Sequence, residues 1–260
     1  MPGAGEAELL EVAIEASDAA AAELMPRFGQ RQGGIRAKSS ATDLVSDADV
    51  AAEDAIRAVL ARRRPADAIL GEEGGASGDG EVRWVIDPLD GTINYLFGLP
   101  AFAVSVACED AAGTLAAVVL DPVRGERFTA TRSGPALLDG EPIAARGDRG
   151  DLGRALVATG FAYDAATRER QAVVVSRVLP RVRDIRRVGA AALDLAWAAC
   201  GRFDAYYERG VKVWDVAAGT LIAQRAGLEV RQLPAAGEDP AGVVAAPPAL
   251  IDELHELVAA

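Results

Sequence analysis

Residues 84–95 read WVIDPLDGTINY, in which Asp87 and Asp90 follow an apolar run and enclose Pro88 and Leu89. The apolar run predicts a buried strand, and the residues after it predict a tight turn. Two carboxylates beside buried surface repel each other unless they are hydrogen-bonded or bound to a cation. The segment is therefore either a turn held by side-chain-to-backbone hydrogen bonds or part of a cation site.

Strands and helices alternate on both sides of this segment. Apolar periodicity predicts helices over residues 8–25, 46–62 and 165–179, in AALDLAWAAC, in WDVAAGTLIAQRAG and at the C-terminal end. Short apolar runs between them predict strands, with Asp139-Gly140 as a hairpin turn. This order predicts an α/β fold of layered sheets and helices. We expect one domain over residues 1–260 with two halves, 1–146 and 154–260, on either side of a Gly- and Asp-rich stretch.

Composition restricts the possible chemistry. The 260 residues include 27 basic and 39 acidic side chains, a net charge of −12, so we expect no nucleic-acid partner. His255, the one histidine, lies in the predicted amphipathic C-terminal helix, where we expect it at the surface. We therefore expect no Ser-His-Asp or Cys-His site, and a single histidine excludes a multi-histidine metal site within this chain. Cys108 and Cys200 lie in separate apolar stretches and are predicted to be reduced core residues. Hydrolysis would have to use carboxylates, hydroxyls and metal ions.

The sequence also bears on location. The N-terminal segment lacks the basic start and apolar block of a signal peptide. No apolar run approaches the roughly 20 residues that span a bilayer. We therefore expect a soluble cytoplasmic protein with no membrane partner.

Acidic residues gather at the ends of predicted elements. The groups are Asp43, Asp47 and Asp49; Glu72 and Glu73; Asp87 and Asp90; and Asp215. Each group alone has an ordinary structural explanation as helix caps, turn caps or solvated loop charges. Taken together they favour a metal site, because carboxylates near buried surface are costly unless they are paired or metal-bound. Oxygen ligands select hard cations, and Mg²⁺ is the usual one beside phosphate.

The spacing within DPLDG suits such a site. A proline-containing turn can direct both carboxylates and the Leu89 carbonyl at one point. Gly91 and Thr92 then offer backbone N–H groups at the start of a short helix, where a phosphate can bind.

WVIDPLDGTINY resembles the first signature of the inositol monophosphatase family, and WDVAAG (214–219) resembles its second. The segments KSSATDLVSDAD (38–49), GEEG (71–74) and VGAAALDLAWAACGRFDAYYERG (188–210) resemble the same family in order and approximate spacing. The likeness runs from about Glu8 to Pro248. It implies an αβαβα sandwich of mixed and antiparallel sheets, with a metal-binding first half, a substrate-side second half and a homodimer.

The resemblance also implies roles for individual residues. Metal ligands would be Glu72, Asp87 and the Leu89 carbonyl for a first Mg²⁺, then Asp87, Asp90 and Asp215 for a second, with Glu72 reaching a third ion through water. The catalytic residues would be Asp49, Glu72 and Thr92, with Asp49 and Thr92 positioning and deprotonating the attacking water. The N–H groups of Gly91 and Thr92 would hold the phosphate. Substrate hydroxyls would meet Asp90, the backbone of Gly189, Ala190 and Ala191, Glu208 and Asp215, and Lys38 aligns with a lysine near the phosphate.

The chain departs from the family pattern at Ile93, where a second threonine is common, and Lys212 places a cation near the substrate entrance. The expected function is Mg²⁺-dependent hydrolysis of inositol monophosphate by metal-activated water. Alternatives within the family are histidinol-phosphate, fructose-bisphosphate and nucleotide 3′-phosphate phosphatases. A regulatory or binding protein on the same fold is the alternative outside enzymes.

Overall fold

The computed structural model describes residues 4–30, 35–37, 44–147 and 150–259. Up to residue 147 the chain forms α1 (Ala4–Leu24), β1 (Arg36–Ala37), β2 (Leu44–Val45), α2 (Asp47–Arg63), β3 (Ala68–Gly71), β4 (Gly75–Ser77), β5 (Arg83–Asp90), α3 (Thr92–Leu96), β6 (Ala103–Asp110), β7 (Gly113–Asp121), β8 (Glu126–Thr131), β9 (Leu137–Leu138) and β10 (Glu141–Pro142). From residue 150 it forms β11 (Leu156–Thr159), α4 (Ala165–Val178), β12 (Asp184–Arg186), α5 (Ala191–Ala199), β13 (Ala205–Arg209), α6 (Val213–Arg225), β14 (Glu229–Leu233), β15 (Gly242–Ala246) and α7 (Ile251–Ala259).

Helix α2 begins where its sequence predicts. Ser46 is the N-cap, and its Oγ accepts the Ala48 N–H at 3.2 Å. Asp49 returns the contact by accepting the Ser46 N–H at 2.8 Å, which completes a capping box. The negative charges of the two aspartates in the first turn also interact favourably with the positive end of the helix dipole.

The larger sheet of the described ranges has the strand order β10-β9-β8-β7-β6-β5-β3-β4. Its neighbours are antiparallel except for β3 and β5, which run parallel. The predicted turn at Asp139-Gly140 joins β9 to β10, and both residues have positive φ, 52° and 86°. Such φ values are those of the hairpin turns that match strand twist.

The expected turn at DPLDG is in fact a continuation of β5. Asp87 pairs with Ser105 and Asp90 pairs with Ala103, so Pro88 and Leu89 together oppose Val104 in a bulge. Pro88 has no N–H to donate to the ladder, which gives the irregularity a local cause. The strand therefore carries both aspartates, and the chain turns only at Gly91.

Helices and sheets stack in five layers. Helices α1 and α2 cover one face of the large sheet, burying side chains such as Ile56 and Trp84. Helices α5 and α6 cover its other face, and their opposite sides pack on a smaller sheet of order β12-β11-β13-β15-β14. Helices α4 and α7 close the stack through Val178 and Leu254. This is the predicted αβαβα sandwich, and the predicted α/β fold class is confirmed.

Both cysteines are free, with Cys108 buried in β6 and Cys200 partly buried after α5, as predicted. Among the helices of the described ranges, none has the length and apolar character needed to cross a bilayer. Lys38 and Asp43, two candidate site residues of the sequence analysis, lie outside the described residues.

Candidate active site

Three carboxylates from different elements meet at the edge of the large sheet. Glu72 directly follows β3, Asp87 belongs to β5 and Asp215 stands in the first turn of α6. Among the described residues, each offers an oxygen atom within 4.8 Å of the others. Parallel pairing of β3 with β5 brings Glu72 beside Asp87, and the α6 N-terminus brings Asp215 from the far end of the sequence.

Burial and mutual repulsion raise the pKa values of these groups. Burial, followed by the carboxylates of Glu72, Asp90 and Asp215, raises the pKa of Asp87 well above its usual range. Burial and Asp90 raise the pKa of Asp215 to about 8, although the Lys212 N–H, 2.6 Å from Oδ2, opposes the shift. A cation placed among these oxygens would remove the repulsion, so the donor set fits a hard divalent ion.

Asp90 faces the N-terminus of α5. Its two carboxylate oxygens accept the N–H groups of Ala191 at 3.1 Å and Ala192 at 2.6 Å. Burial still raises the pKa of Asp90 to about 7, because these bonds and the helix dipole only partly compensate for lost hydration. Each oxygen keeps a further lone pair, so Asp90 can accept or ligate on its other side.

Asp49 and Thr92 lie in direct contact. Thr92 Oγ1 is 2.9 Å from Asp49 Oδ1 and 3.0 Å from the Leu89 carbonyl oxygen, and its single proton serves one of them at a time. Asp49 Oδ2 accepts both the N–H and the hydroxyl of Ser46. Asp49 is 1% exposed. Its Oδ2 is held in the capping box of α2, and its Oδ1 faces Thr92.

Gly91 makes the corner between β5 and α3. Its φ of 92° lies in the left-handed region, and an added Cβ would lie 3.1 Å from the Ala101 oxygen. A side chain is therefore excluded by both strain and space. The N–H groups of Gly91 and Thr92 stand at the start of a helix, where such groups have no intrahelical partner.

A cavity of about 450 Å³ opens above these groups. Its lining includes Glu72, Asp87, Leu89, Asp90, Gly91, Thr92, Gly189, Ala191, Glu208 and Asp215 of the predicted site, together with Arg187, Lys212 and the segment 161–164. Ala190 and Asp49 are not among the lining residues, and Ala190 is 1% exposed and packs in the hydrophobic core. Asp49 lies one contact behind the cavity, through Thr92.

Glu208 lines the same cavity as the three carboxylates. Tyr206 donates its hydroxyl to Glu208 Oε2 at 2.9 Å. Burial raises the pKa of Glu208 to about 7, while Tyr206 and the Arg187 guanidinium act against the shift. The group therefore changes charge near neutral pH in the metal-free protein.

Sequence reasoning missed residues whose partners are distant in the chain. Gly160 follows β11, and a Cβ there would lie 2.1 Å from Glu208 Oε2. Asp194, a charged residue within an apolar helix, is fully buried, and among the described residues neither carboxylate oxygen has a hydrogen-bond partner. Burial, then Glu208 and Asp90, raises the pKa of Asp194 well above its usual range. An aspartate inside AALDLAWAAC was the available signal, but nothing local showed what it faces.

Comparison with known proteins decides the family, since the profile of the inositol monophosphatase family matches residues 6–260. The chain belongs to the inositol monophosphatase family. An inositol-1-monophosphatase of Mycobacterium bovis is 46% identical over 238 residues, covering 88% of this chain and 82% of that protein. The structure of inositol monophosphatase from Anabaena matches with a TM-score of 0.84 and 33% identity, covering 96% of this chain and 94% of that one.

A third relative carries a different name. The Nus factor SuhB of Pseudomonas aeruginosa is 44% identical over 231 residues, covering 84% of this chain and 83% of its own. The resemblance found in the sequence is thus confirmed at the level of the family, and so is the expectation of a phosphatase-family enzyme. Inositol monophosphatase family membership also agrees with the five-layer fold.

Proposed function

We propose that this chain is a Mg²⁺-dependent phosphomonoesterase that hydrolyses inositol monophosphates. The observation that carries the proposal is the meeting of Glu72, Asp87 and Asp215 within 4.8 Å, beside a cavity of about 450 Å³. A polyol phosphate fits a cavity of that size. Buried carboxylates with raised pKa values at one end of a cavity are also the usual mark of a functional site.

Glu72, Asp87, Asp90, Asp215 and the Leu89 carbonyl would hold two or three Mg²⁺ ions. When bound, Mg²⁺ supplies charge neutralisation at the phosphoryl oxygens and lowers the pKa of water. The oxygen-only donor set is the one Mg²⁺ prefers. The metal would also allow an acidic protein of net charge −12 to accept an anionic ester.

Asp49 would accept the proton of the attacking water through the hydroxyl of Thr92. With its hydroxyl proton directed to Asp49 Oδ1 at 2.9 Å, Thr92 Oγ1 has lone pairs free to accept from water. Asp49 Oδ1 then receives a proton through Thr92, while Oδ2 stays bonded to Ser46. The N–H groups of Gly91 and Thr92 would hold the phosphate.

Polar groups of the cavity lining would bind the alcohol. Glu208, Asp90 and Asp215 are acceptors for vicinal hydroxyls, and the backbone of Gly189 and Ala191 also lines the cavity. Ala190 is buried, so any role there would belong to its backbone.

Thr92→Val should lower kcat about 10- to 100-fold with little change in KM, because it removes the proton path while keeping the shape of the side chain. Steady-state kinetics at saturating Mg²⁺ measure the effect. Thr92→Ser retains the hydroxyl and should recover most of the rate. Equal activity of the Val variant and the wild type would remove Thr92 from the mechanism.

Gly160→Ala should displace the Glu208 carboxylate and raise KM for inositol phosphate about tenfold, since a hydrogen bond to a charged group is worth about 1.5–3 kcal/mol. Gly147→Ala is the matched control, because a Cβ there meets nothing within 4 Å. Michaelis–Menten kinetics on both variants distinguish the two sites. An unchanged KM in Gly160→Ala would show that Glu208 does not bind the alcohol.

Phosphate release from a substrate panel, with and without Mg²⁺ and with added Li⁺, tests the proposed function. The panel contains inositol 1-phosphate, histidinol phosphate, fructose 1,6-bisphosphate and a nucleotide 3′-phosphate. We expect inositol 1-phosphate to have the highest kcat/KM and the reaction to stop without divalent metal. Faster turnover of histidinol phosphate by a large factor would reassign the substrate.

A binding role remains the alternative function, because relatives of similar identity are named Nus factor SuhB. The presence of Glu72, Asp87, Asp90 and Asp215 at one cavity favours the enzyme, since a binding protein has no need of a metal site. We also propose that the protein is a homodimer in the cytoplasm, and sedimentation analysis tests the dimer. If the folded protein hydrolysed no substrate of the panel, the binding role would be favoured over the enzyme.

A further inference from the structure

Glu53 is a buried acidic residue outside the catalytic cavity. It lies in α2, is 2% exposed, and stands one helical turn after Asp49, with Arg57 one turn further on. Residues four apart lie on one face of a helix. This face of α2, formed by Asp49, Glu53 and Arg57, points toward the segment that carries Glu72.

The carboxylate of Glu53 binds the backbone directly after Glu72. Oε2 accepts the Glu73 N–H at 2.7 Å, and Oε1 accepts the Gly74 N–H at 2.7 Å. Arg57 donates its Nε to Glu53 Oε1 at 2.7 Å, which completes the set of donors around the carboxylate. Charge-assisted bonds of this kind are stronger than neutral ones.

Arg57 extends the same contact to β4. Its guanidinium donates to the Gly75 carbonyl at 2.7 Å and to Ser77 Oγ at 3.0 Å. Glu53 and Arg57 therefore hold residues 73–77 from the helix side. From the sheet side, the Glu72 N–H donates to the Ile86 carbonyl at 3.3 Å.

Two glycines allow this close approach. A Cβ on Gly71 would lie 2.5 Å from Glu53 Oε1, and a Cβ on Gly74 would lie 2.6 Å from the same atom. The G-E-E-G sequence thus has a physical reason, since each glycine admits the Glu53 carboxylate beside the Glu72 backbone.

We infer that Glu53, oriented by Arg57, is a positioning residue that sets where the Glu72 carboxylate stands and so sets the affinity of the site for divalent cations. The inference rests on the proposed metal-dependent function. Glu53 is not one of the residues that line the cavity, and it is not one of the three clustered carboxylates. Removal of a residue that orients a metal ligand typically changes metal affinity about 10- to 100-fold.

Direct Mn²⁺ and Mg²⁺ binding, by electron paramagnetic resonance and by calorimetry, tests the inference on Glu53→Gln. The amide keeps the size of the side chain but sets an NH₂ group against one of the two backbone N–H donors. We expect divalent binding to weaken about tenfold or more, with kcat at saturating metal changing less than the metal concentration needed for half activity. Asp54→Asn is the matched control, because it removes one charge from an exposed neighbour on the same helix.

Arg57→Gln gives an independent readout if Glu53→Gln folds poorly, and it should weaken metal binding in the same direction. Wild-type metal affinity in a folded Glu53→Gln or Arg57→Gln variant would overturn the inference while leaving the proposed function intact. Failure of the wild-type protein itself to bind divalent cations would instead overturn the proposed function, and the inference with it.

Discussion

Asp87→Asn should lower kcat/KM at least about 1,000-fold, equivalent to about 4 kcal/mol of transition-state stabilisation. Asp87 is 1% exposed and is one of the three carboxylates that meet within 4.8 Å. Its replacement removes a charged oxygen from the centre of the proposed metal site. Initial rates across a range of Mg²⁺ concentrations measure the loss, and excess Mg²⁺ should not restore the rate.

The same variant should keep its fold. Asp87 Oδ1 accepts the Leu89 N–H at 3.0 Å, which an asparagine oxygen also accepts. Its amide NH₂ then donates to Glu72, as a protonated Asp87 would. Without metal at pH 8 we therefore expect an unfolding temperature equal to or above that of the wild type.

Asp121→Asn is a control for Asp87→Asn in which stability, and not activity, is expected to change. Asp121 is fully buried, accepts the N–H groups of Val123 and Arg124, and pairs with the Arg124 guanidinium at 2.8 Å. Losing that charge should reduce stability while leaving kcat near the wild-type value. If Asp87→Asn kept a tenth or more of the activity, Asp87 would not be a metal ligand.

The second large effect concerns pH and metal together. The folded pKa values of Asp90 and Glu208 are about 7 and that of Asp215 is about 8, against 3.8 to 4.5 for the same side chains without the fold. Between those values the folded protein binds more protons than the unfolded chain. The stability of the metal-free protein should therefore fall as pH rises from about 4 to about 8.

Bound Mg²⁺ should reverse that loss. Ligands must be deprotonated to bind metal, so the Mg²⁺-dependent gain should be small near pH 5.5 and large near pH 8.5. At 100 times the dissociation constant, a ligand adds about 2.7 kcal/mol, which is about 5 °C or more for a protein of this size. Thermal melts at both pH values, with Mg²⁺ and with a chelator, measure the difference.

Asp215→Asn provides the control for the pH effect, because it removes the group with a pKa of about 8. Its metal-free stability should fall less steeply between about pH 6 and pH 8. An equal Mg²⁺ shift at acidic and basic pH in the wild type would contradict the assignment of Asp90 and Asp215 as metal ligands.

Features that depend on neighbours in the chain were predictable from the sequence. The Ser46 cap and the Asp139-Gly140 turn are local, and the structure has both. The acidic residues of the proposed metal site were predictable because carboxylates at the ends of apolar runs need an explanation.

Features that depend on distant pairing were not predictable. Gly160 follows β11 whereas Glu208 lies in β13, and Glu53 contacts Glu73, twenty positions further along the chain. Nothing in their own segments indicates the partner. The segment DPLDG predicts a turn because proline and aspartate are common turn residues. Proline within a sheet also occurs at bulges, and the structure has a bulge here.

The bulge has a consequence for which changes this segment tolerates. Side chains of a regular strand alternate between faces, so residues three apart, such as Asp87 and Asp90, would point to opposite sides of the sheet. Because the bulge at Pro88 and Leu89 inserts one extra residue, Asp90 points to the same side of the sheet as Asp87. Loss or gain of one residue here would move Asp90, Gly91 and Thr92 away from the cavity together. The segment should therefore accept a changed side chain at Leu89 far more readily than a changed length.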